Sequence, residues 1–376
     1  MENSPVLFEE ISCANSKKIG VATLNMPNKL NALSLPMIKL LLPKLKSWQV
    51  DNDVVAVFLQ GAGDKAFCAG GDVVSVYNEL AKESSDNISH VVDFFSEEYT
   101  LDHLIHCYKK PFIVWGSGIV MGGGLGLMAG ASHRIATETT KMAMPEINIG
   151  LYPDVGATWF LSRMPSNIGL FLGLSAAQLN AGDANYLGLS DYYINSQHKD
   201  DFLTALSKTV WHENIADNHA ILSACIEAFV QQTNIPMPES MVRTHQELIG
   251  QTFDHQDLPT IVEKLNELSL TDDWFKAAQA TLAKGSPLSA CLIYEQLHRG
   301  KTLSLAQCFK LELNLSIKSA QFGEFKEGVR ALLVDKDKAP QWHYPDIDVV
   351  EEETIEWFFQ PFFSDEQHPL NELENS

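Results

Sequence analysis

"PFIVWGSGIVMGGGLGLMAG", residues 111–130, decides between two architectures. It belongs to an uncharged run from Pro111 to Ser132, long enough to raise a membrane-spanning helix, which needs about 20 apolar residues. The glycines decide against that reading. Gly116, Gly118 and the triplet at 122–124 would weaken a helix of that length, but they suit a buried strand, a tight turn and the start of a short helix over "GLGLMAG".

The same strand-to-helix turn stands earlier in the chain. "KAFCAGGD" (65–72) follows the apolar strand "VVAVFLQGAG" (54–63) and gives way to a helical stretch. Around these lie "KIGVATLNM" (18–26) and "HRIATE" (133–138), both with strand character, and a helix that Ser34 and Pro36 open and that runs to about Trp48. Alternation of this kind implies parallel βαβ units in an α/β fold. Beyond about residue 200 helical spacing dominates, as in "DFLTALSKTVWHEN", "NHAILSACIEAFVQQ" and "PTIVEKLNELS". The division expected is a core over 1–200 and a helical region over 201–376. The acidic tail from Asp346 mixes carboxylates with aromatic residues, so its first part is expected to pack and its last residues to fray.

Composition narrows the partners. With 45% hydrophobic and 20% charged residues the chain is that of a folded globular protein. A formal charge of −21 opposes binding to nucleic acid or to an anionic membrane surface, both of which need clustered Lys and Arg. A small anionic ligand is still admitted, because local cations and helix N-termini dominate within about one Debye length, roughly 8 to 10 Å. Cys13, Cys68, Cys107, Cys225, Cys291 and Cys308 form no CxxC pair, which suits reduced thiols in the cytoplasm. The first residues have neither a secretory h-region nor the Arg-rich bias of a transit peptide.

Four constellations could carry chemistry. In the first two turns, small residues at Ala69, Gly70 and Gly71 and at 122–124 let a ligand approach backbone N–H groups at a helix start. Two such donors converging would form an oxyanion hole, worth about 3 to 4 kcal/mol per donor to a charge developing on an ester or thioester oxygen. Third, "MPEINIGLYPDVGATWF" (144–160) sets Glu146 eight positions before Asp154 among the apolar Ile147, Ile149, Leu151, Tyr152 and Val155. Two acids near one buried turn repel and split their pKa values, which suits one to act as nucleophile or base and the other as its hydrogen-bonding partner. Fourth, "FFSEEYTLDHLIHC" (94–107) carries Glu97 and Glu98 on an otherwise apolar helix, with one of them a candidate to face inward. Other chemistries fail. Met121 and Leu127 occupy the sixth positions of the near-GxGxxG runs, there is no GK[ST] and no GxSxG, and His103 with His106 has no evident companion ligands, so no metal is implied.

"LNMPNKLNALS" (24–34), "AFCAGGD", "SEEY", "KPFIVWGSGIVMGGGLGL", "HRIATETTKMAMPEINIGLYPDVG" and "FKEGVRALLVDKDKAPQW" (325–342) together resemble the enoyl-CoA hydratase/isomerase, or crotonase, superfamily. The combination of "MPE", "PDVG" and "EGVRALLVDKD" narrows the resemblance to the branch that hydrolyses 3-hydroxyisobutyryl-CoA in valine breakdown. It implies a crotonase (ClpP-like) spiral core of repeated ββα units, with the helical C-terminal region closing the acyl pocket. The resemblance places the oxyanion hole on the N–H groups of Gly71 and Gly123, the catalytic carboxylate on Glu146, the partner acid on Asp154 and a substrate-pocket acid on Glu98. CoA-binding segments correspond to Lys29, Asn31 and Ala32 and to Ala69, Gly70, Gly71 and Asp72. The partner implied is an acyl-CoA substrate, with no separate cofactor because CoA arrives as part of it, and a homo-oligomer is left open.

One departure bears on the reaction. Hydratases of the superfamily carry a second glutamate where this chain has Gly126, and a small residue where it has Asp154. The resemblance therefore implies thioester hydrolysis of 3-hydroxyisobutyryl-CoA, with 3-hydroxypropionyl-CoA as a second substrate. Glu146 acts either as the nucleophile of a mixed anhydride or as the base that activates water. The rivals are hydration or isomerisation on the same fold, acyl-CoA binding without catalysis, and a purely structural protein.

Overall fold

A computed structural model describes residues 4–82, 87–233, 235–268 and 271–375. Among the described residues nine strands appear in chain order: β1 Val6–Ser12, β2 Lys18–Leu24, β3 Val54–Gly61, β4 Ala66–Cys68, β5 Phe112–Gly116, β6 Ile119–Met121, β7 His133–Ala136, β8 Lys141–Ala143 and β9 Tyr192–Tyr193. Six of them form one sheet in the order β1-β2-β3-β5-β7-β9, and the short β4, β6 and β8 form a second. β1 pairs antiparallel with β2, and the pairs from β2 to β9 run parallel. The chain thus repeats one unit: a strand in the large sheet, a short strand in the small sheet, then a helix. β3 and β4 lead into helix Val73–Leu80, and β5 and β6 lead into helix Gly123–Ala129.

The run at 111–132 resolves into β5, β6 and that short helix. Among the described residues no helix is long and apolar enough to cross a membrane. β3 is buried from Val54 to Gln60, the mark of an interior parallel strand covered on both faces. Helix Leu35–Val50 starts where Ser34 and Pro36 place it, the proline sitting in the first turn where its missing N–H costs nothing. β1 went unread in the sequence, because its short alternation sits in a segment with mixed acidic character.

Two compact units share the chain, each assembled from three stretches. The first comprises residues 1–71, 104–142 and 179–243, and it contains the six-stranded sheet. Its core packs Ile19, Val21, Phe58, Ile113, Trp115 and Ile135 from the sheet against Phe202, Leu206, Leu222 and Ile226 from two helices. The second comprises 72–103, 143–178 and 244–376. The helices beyond residue 200 therefore serve both units. In the second, the tail is seated further than expected: Leu370 and Leu373 are buried and Lys310 pairs with Glu374 at 2.6 Å, so fraying does not set in where the acidic composition suggested.

Candidate active site

In the first unit the two glycine turns lie in backbone contact. After β4, Gly70 takes a φ of +112°, and after β6, Gly122 takes a φ of +49°, conformations that an L side chain rarely adopts. A Cβ on Gly70 would stand 3.4 Å from the Met121 oxygen and 3.9 Å from the Gly123 nitrogen. One on Gly124 would stand 2.2 Å from the Cys68 oxygen. Gly123 begins the helix Gly123–Ala129, so its N–H belongs to the first turn, where no partner exists within the helix. Gly124→Ala is accordingly expected to force the turns apart and lower kcat at least tenfold, measured beside the melting temperature. Normal turnover in that variant would show that the close approach does not matter to the chemistry.

Segment 29–33 runs beside the first turn. Ala69 N–H donates to the Leu30 carbonyl at 3.1 Å and Leu33 N–H to the Gly70 carbonyl at 2.8 Å. Lys29 is exposed and Ala32 half-buried. Asn31 is wholly buried, accepts from Met26 N–H and donates to the carbonyls of Ala62 and Ala66, all at 2.9 Å. Its side chain is committed to shaping the segment. Asp72, which belongs to the second unit, caps helix Val73–Leu80 by accepting from Ser75 N–H at 3.2 Å.

The acids gather in the second unit. Glu146 opens a 3-10 turn, Glu146–Ile149, that ends on Gly150 with a φ of +65°. A Cβ on Gly150 would stand 2.4 Å from the Glu324 oxygen, and one on Gly328 would stand 2.2 Å from the Ile149 carbonyl carbon, so "EGVR" seats helix Glu324–Val329 directly on the turn. Ser286 N–H donates to the Ile147 carbonyl at 3.0 Å, and its hydroxyl donates to Glu324 at 2.8 Å. Held this way, Glu146 is 4% exposed, and its Oε2 has no hydrogen-bond partner among the described residues.

Asp154 follows on a loop with two further left-handed residues, Val155 and Gly156, and is 5% exposed. The helix Ala157–Ser162 that starts there has no side-chain cap of its own. Glu312, from helix Leu305–Phe322, supplies one: its two oxygens accept from Gly156 N–H at 2.8 Å and Thr158 N–H at 2.9 Å. Gln296 fixes the same loop, donating to the Pro153 carbonyl at 2.6 Å.

Helix Asn87–His106 brings Glu98 and Asp102, four residues apart on one face. Glu98 is 2% exposed while Glu97 is only half-buried, so Glu98 is the inward member of the pair. Asp102 is wholly buried and neither of its oxygens has a partner among the described residues. Asp102 and Glu312 went unread in the sequence. The Glu98-to-Asp102 spacing was the available signal for one. A single acid in the apolar run "LELNLSI" was the signal for the other.

Burial raises the pKa of every one of these acids. Glu98 and Glu146 lie well above the carboxylate range through burial and then through the Asp154 charge, and Asp102 through burial and then Glu98. Burial pushes Asp154 up to about 6 against the Tyr99 hydrogen bond, and Glu312 up to about 8 against its Thr158 and Gly156 donors. Acids so placed share fewer charges than they have carboxyls. The folded state then binds protons that the unfolded chain has released, so stability falls as pH rises from the unfolded carboxylate range through these raised values. Thermal unfolding is expected to show a lower melting temperature at pH 8.5 than at pH 5.5 (about three pH units apart), with the slope reduced in Glu98→Gln/Asp102→Asn. A flat profile, or a rising one, would contradict the raised values.

The enoyl-CoA hydratase/isomerase family model matches residues 19–359. A mitochondrial 3-hydroxyisobutyryl-CoA hydrolase of Danio rerio is 37% identical over 358 residues, covering 95% of this chain and 89% of that protein. Its counterpart in Gallus gallus is 37% identical over 347 residues, covering 91% and 86%. Among solved structures, an enoyl-CoA hydratase from Rhodobacter sphaeroides superposes with a TM-score of 0.82 at 30% identity, covering 96% of this chain and 98% of that one.

Proposed function

Since the chain belongs to the enoyl-CoA hydratase/isomerase family, we infer that it is an acyl-CoA thioester hydrolase, converting 3-hydroxyisobutyryl-CoA and water to 3-hydroxyisobutyrate and CoA. The observation that carries the reaction class is Glu146, buried with an oxygen that has no partner among the described residues and exposed to the charge of a second acid, Asp154. The hydratase arrangement lacks its other half here: Gly126 lies buried in helix Gly123–Ala129 and has no side chain to offer.

In this mechanism the N–H groups of Gly71 and Gly123 stabilise the negative charge that develops on the thioester oxygen. Either Glu146 takes a proton from the attacking water and returns it to the CoA thiolate as the C–S bond breaks, or Glu146 attacks the carbonyl carbon itself, the thiolate leaves, and water then hydrolyses the mixed anhydride, freeing the acid product and Glu146 and supplying the proton that makes CoA the thiol. Asp154 accepts the hydroxyl of the acyl group, and Glu98 lines the pocket. Lys29, Ala32 and the stretch from Ala69 to Asp72 hold the CoA portion. No further cofactor enters the scheme.

Thiol release from 3-hydroxyisobutyryl-CoA, 3-hydroxypropionyl-CoA and crotonyl-CoA tests the reading. The hydroxyacyl esters are expected to release CoA, while crotonyl-CoA is neither hydrolysed nor hydrated at a comparable rate. Hydration of crotonyl-CoA that outpaces all thiol release would reverse the assignment. The cytoplasmic setting is proposed on the six free cysteines; the relatives named above are mitochondrial, and cell fractionation decides between the two.

A further inference from the structure

Asp154, Tyr99, Ser316 and Tyr152 form a line of oxygens whose protons can be counted. Tyr99 Oη lies 2.7 Å from Asp154 Oδ2 and 2.8 Å from Ser316 Oγ. Ser316 Oγ lies 2.7 Å from Tyr152 Oη, and Tyr152 donates to the main-chain carbonyl of Glu312, which can only accept. That makes four links for the three protons that the hydroxyls own. With Asp154 as a carboxylate, both ends of the line accept, and one link must stay open between two buried oxygens. A proton on Asp154 completes the line: Asp154 donates to Tyr99, Tyr99 to Ser316, Ser316 to Tyr152, and Tyr152 to Glu312. Each hydroxyl then donates once and accepts once.

We propose that the hydroxyl line Tyr99–Ser316–Tyr152 holds a proton on Asp154 in the ligand-free enzyme, so that Asp154 meets the substrate as a neutral acid and leaves Glu146 to carry the negative charge of the pair. Tyr99, Ser316 and Tyr152 are then positioning residues that act through Asp154. The use of that neutral acid rests on the hydrolase reading; the proton count does not.

The surroundings act in the same direction. Among the described residues, the titratable groups that feel the Asp154 charge are Glu98, Tyr99 and Asp102 on helix Asn87–His106, Glu146 on its turn, Tyr152, and Glu312 on helix Leu305–Phe322, none of them a cation. Any of the four carboxyls in its ionised form favours a neutral Asp154. Burial already lifts Asp154 to about 6 with the Tyr99 hydrogen bond opposing it, and the fourth link adds to burial. A neutral Asp154 also removes the charge that, after burial, most raises Glu146, which favours the ionised form of the residue that must attack or take a proton.

The test is an infrared titration of the ligand-free enzyme, reading the protonated-carboxyl band that disappears in Asp154→Asn. Its midpoint is expected well above the ordinary carboxylate range. Ser316→Ala leaves Tyr99 a single partner, so a carboxylate takes the Tyr99 proton with nothing left open, and the midpoint falls by about one pH unit, the equivalent of one buried hydrogen bond. Tyr152→Phe gives a fall by the same count, because Ser316 can then donate to Tyr99, and it serves if Ser316→Ala does not fold. The falling limb of kcat/KM against pH follows the same signs. Unmoved or rising midpoints in Ser316→Ala and Tyr152→Phe overturn the proposal. Because the titration needs no substrate, failure to cleave 3-hydroxyisobutyryl-CoA would remove the functional reading and still leave the infrared result to judge the hydroxyl line.

Discussion

Glu146→Gln is expected to lower kcat for 3-hydroxyisobutyryl-CoA by about 10² to 10⁴, equivalent to roughly 3 to 5.5 kcal/mol of transition-state stabilisation, while CoA binding and the melting temperature stay close to the parent values. The substitution keeps the shape of a side chain that is 4% exposed and has an unpartnered Oε2, so the loss reports chemistry rather than packing. Removing a carboxyl whose pKa burial raises also removes a source of instability, so the variant should not unfold earlier. Near-normal turnover in the folded variant would withdraw Glu146 from catalysis. Single turnover in ¹⁸O-labelled water separates the two routes: label on the Glu146 carboxyl marks an anhydride opened at the enzyme acyl carbon, and label only in the acid product fits direct attack by water or opening at the substrate carbonyl.

The second large effect concerns selectivity. A hydrogen bond between the 3-hydroxyl of the substrate and the buried Asp154 carboxyl is worth about 1 to 3 kcal/mol, so the parent enzyme should prefer 3-hydroxyisobutyryl-CoA to isobutyryl-CoA by about one to two orders of magnitude in kcat/KM. Asp154→Ala removes donor and acceptor alike and should bring the ratio close to one. Asparagine is a poorer probe because its amide imitates a neutral acid. An unchanged ratio in the alanine variant would take hydroxyl recognition away from Asp154.

How much of this was legible in the sequence depended on the kind of signal. The strand-to-helix turns could be read because Gly70, Gly122 and Gly124 answer a local demand, a positive φ or a close backbone approach, which composition displays directly. Glu146 and Asp154 stood out because apolar neighbours implied burial, and both are buried. The short strands β4, β6 and β8, three residues each, escaped because no periodicity develops over that length. Glu312 escaped for a different reason. Its purpose, to cap the helix that follows Gly156, exists only once the fold has brought the two segments together. The "EGVRALLVDKD" motif was recognisable, yet the reason for its glycine, contact with Ile149 behind Glu146, is three-dimensional.

That long reach sets a timetable for synthesis. Gly156 and Glu312 are separated by 156 residues, which a ribosome adding about 5 to 20 residues per second takes roughly 8 to 30 seconds to make. Throughout that interval the nascent chain carries the Glu146 turn and the Asp154 loop without the segments that brace them, with Tyr152 and Val155 denied their final burial. The acids can be brought into place only after helix Leu305–Phe322 and the "EGVR" segment have left the exit tunnel. A premature stop near residue 300 would therefore release a chain whose acid-bearing loop was never built, a substrate for chaperones and proteases rather than an enzyme without a cover.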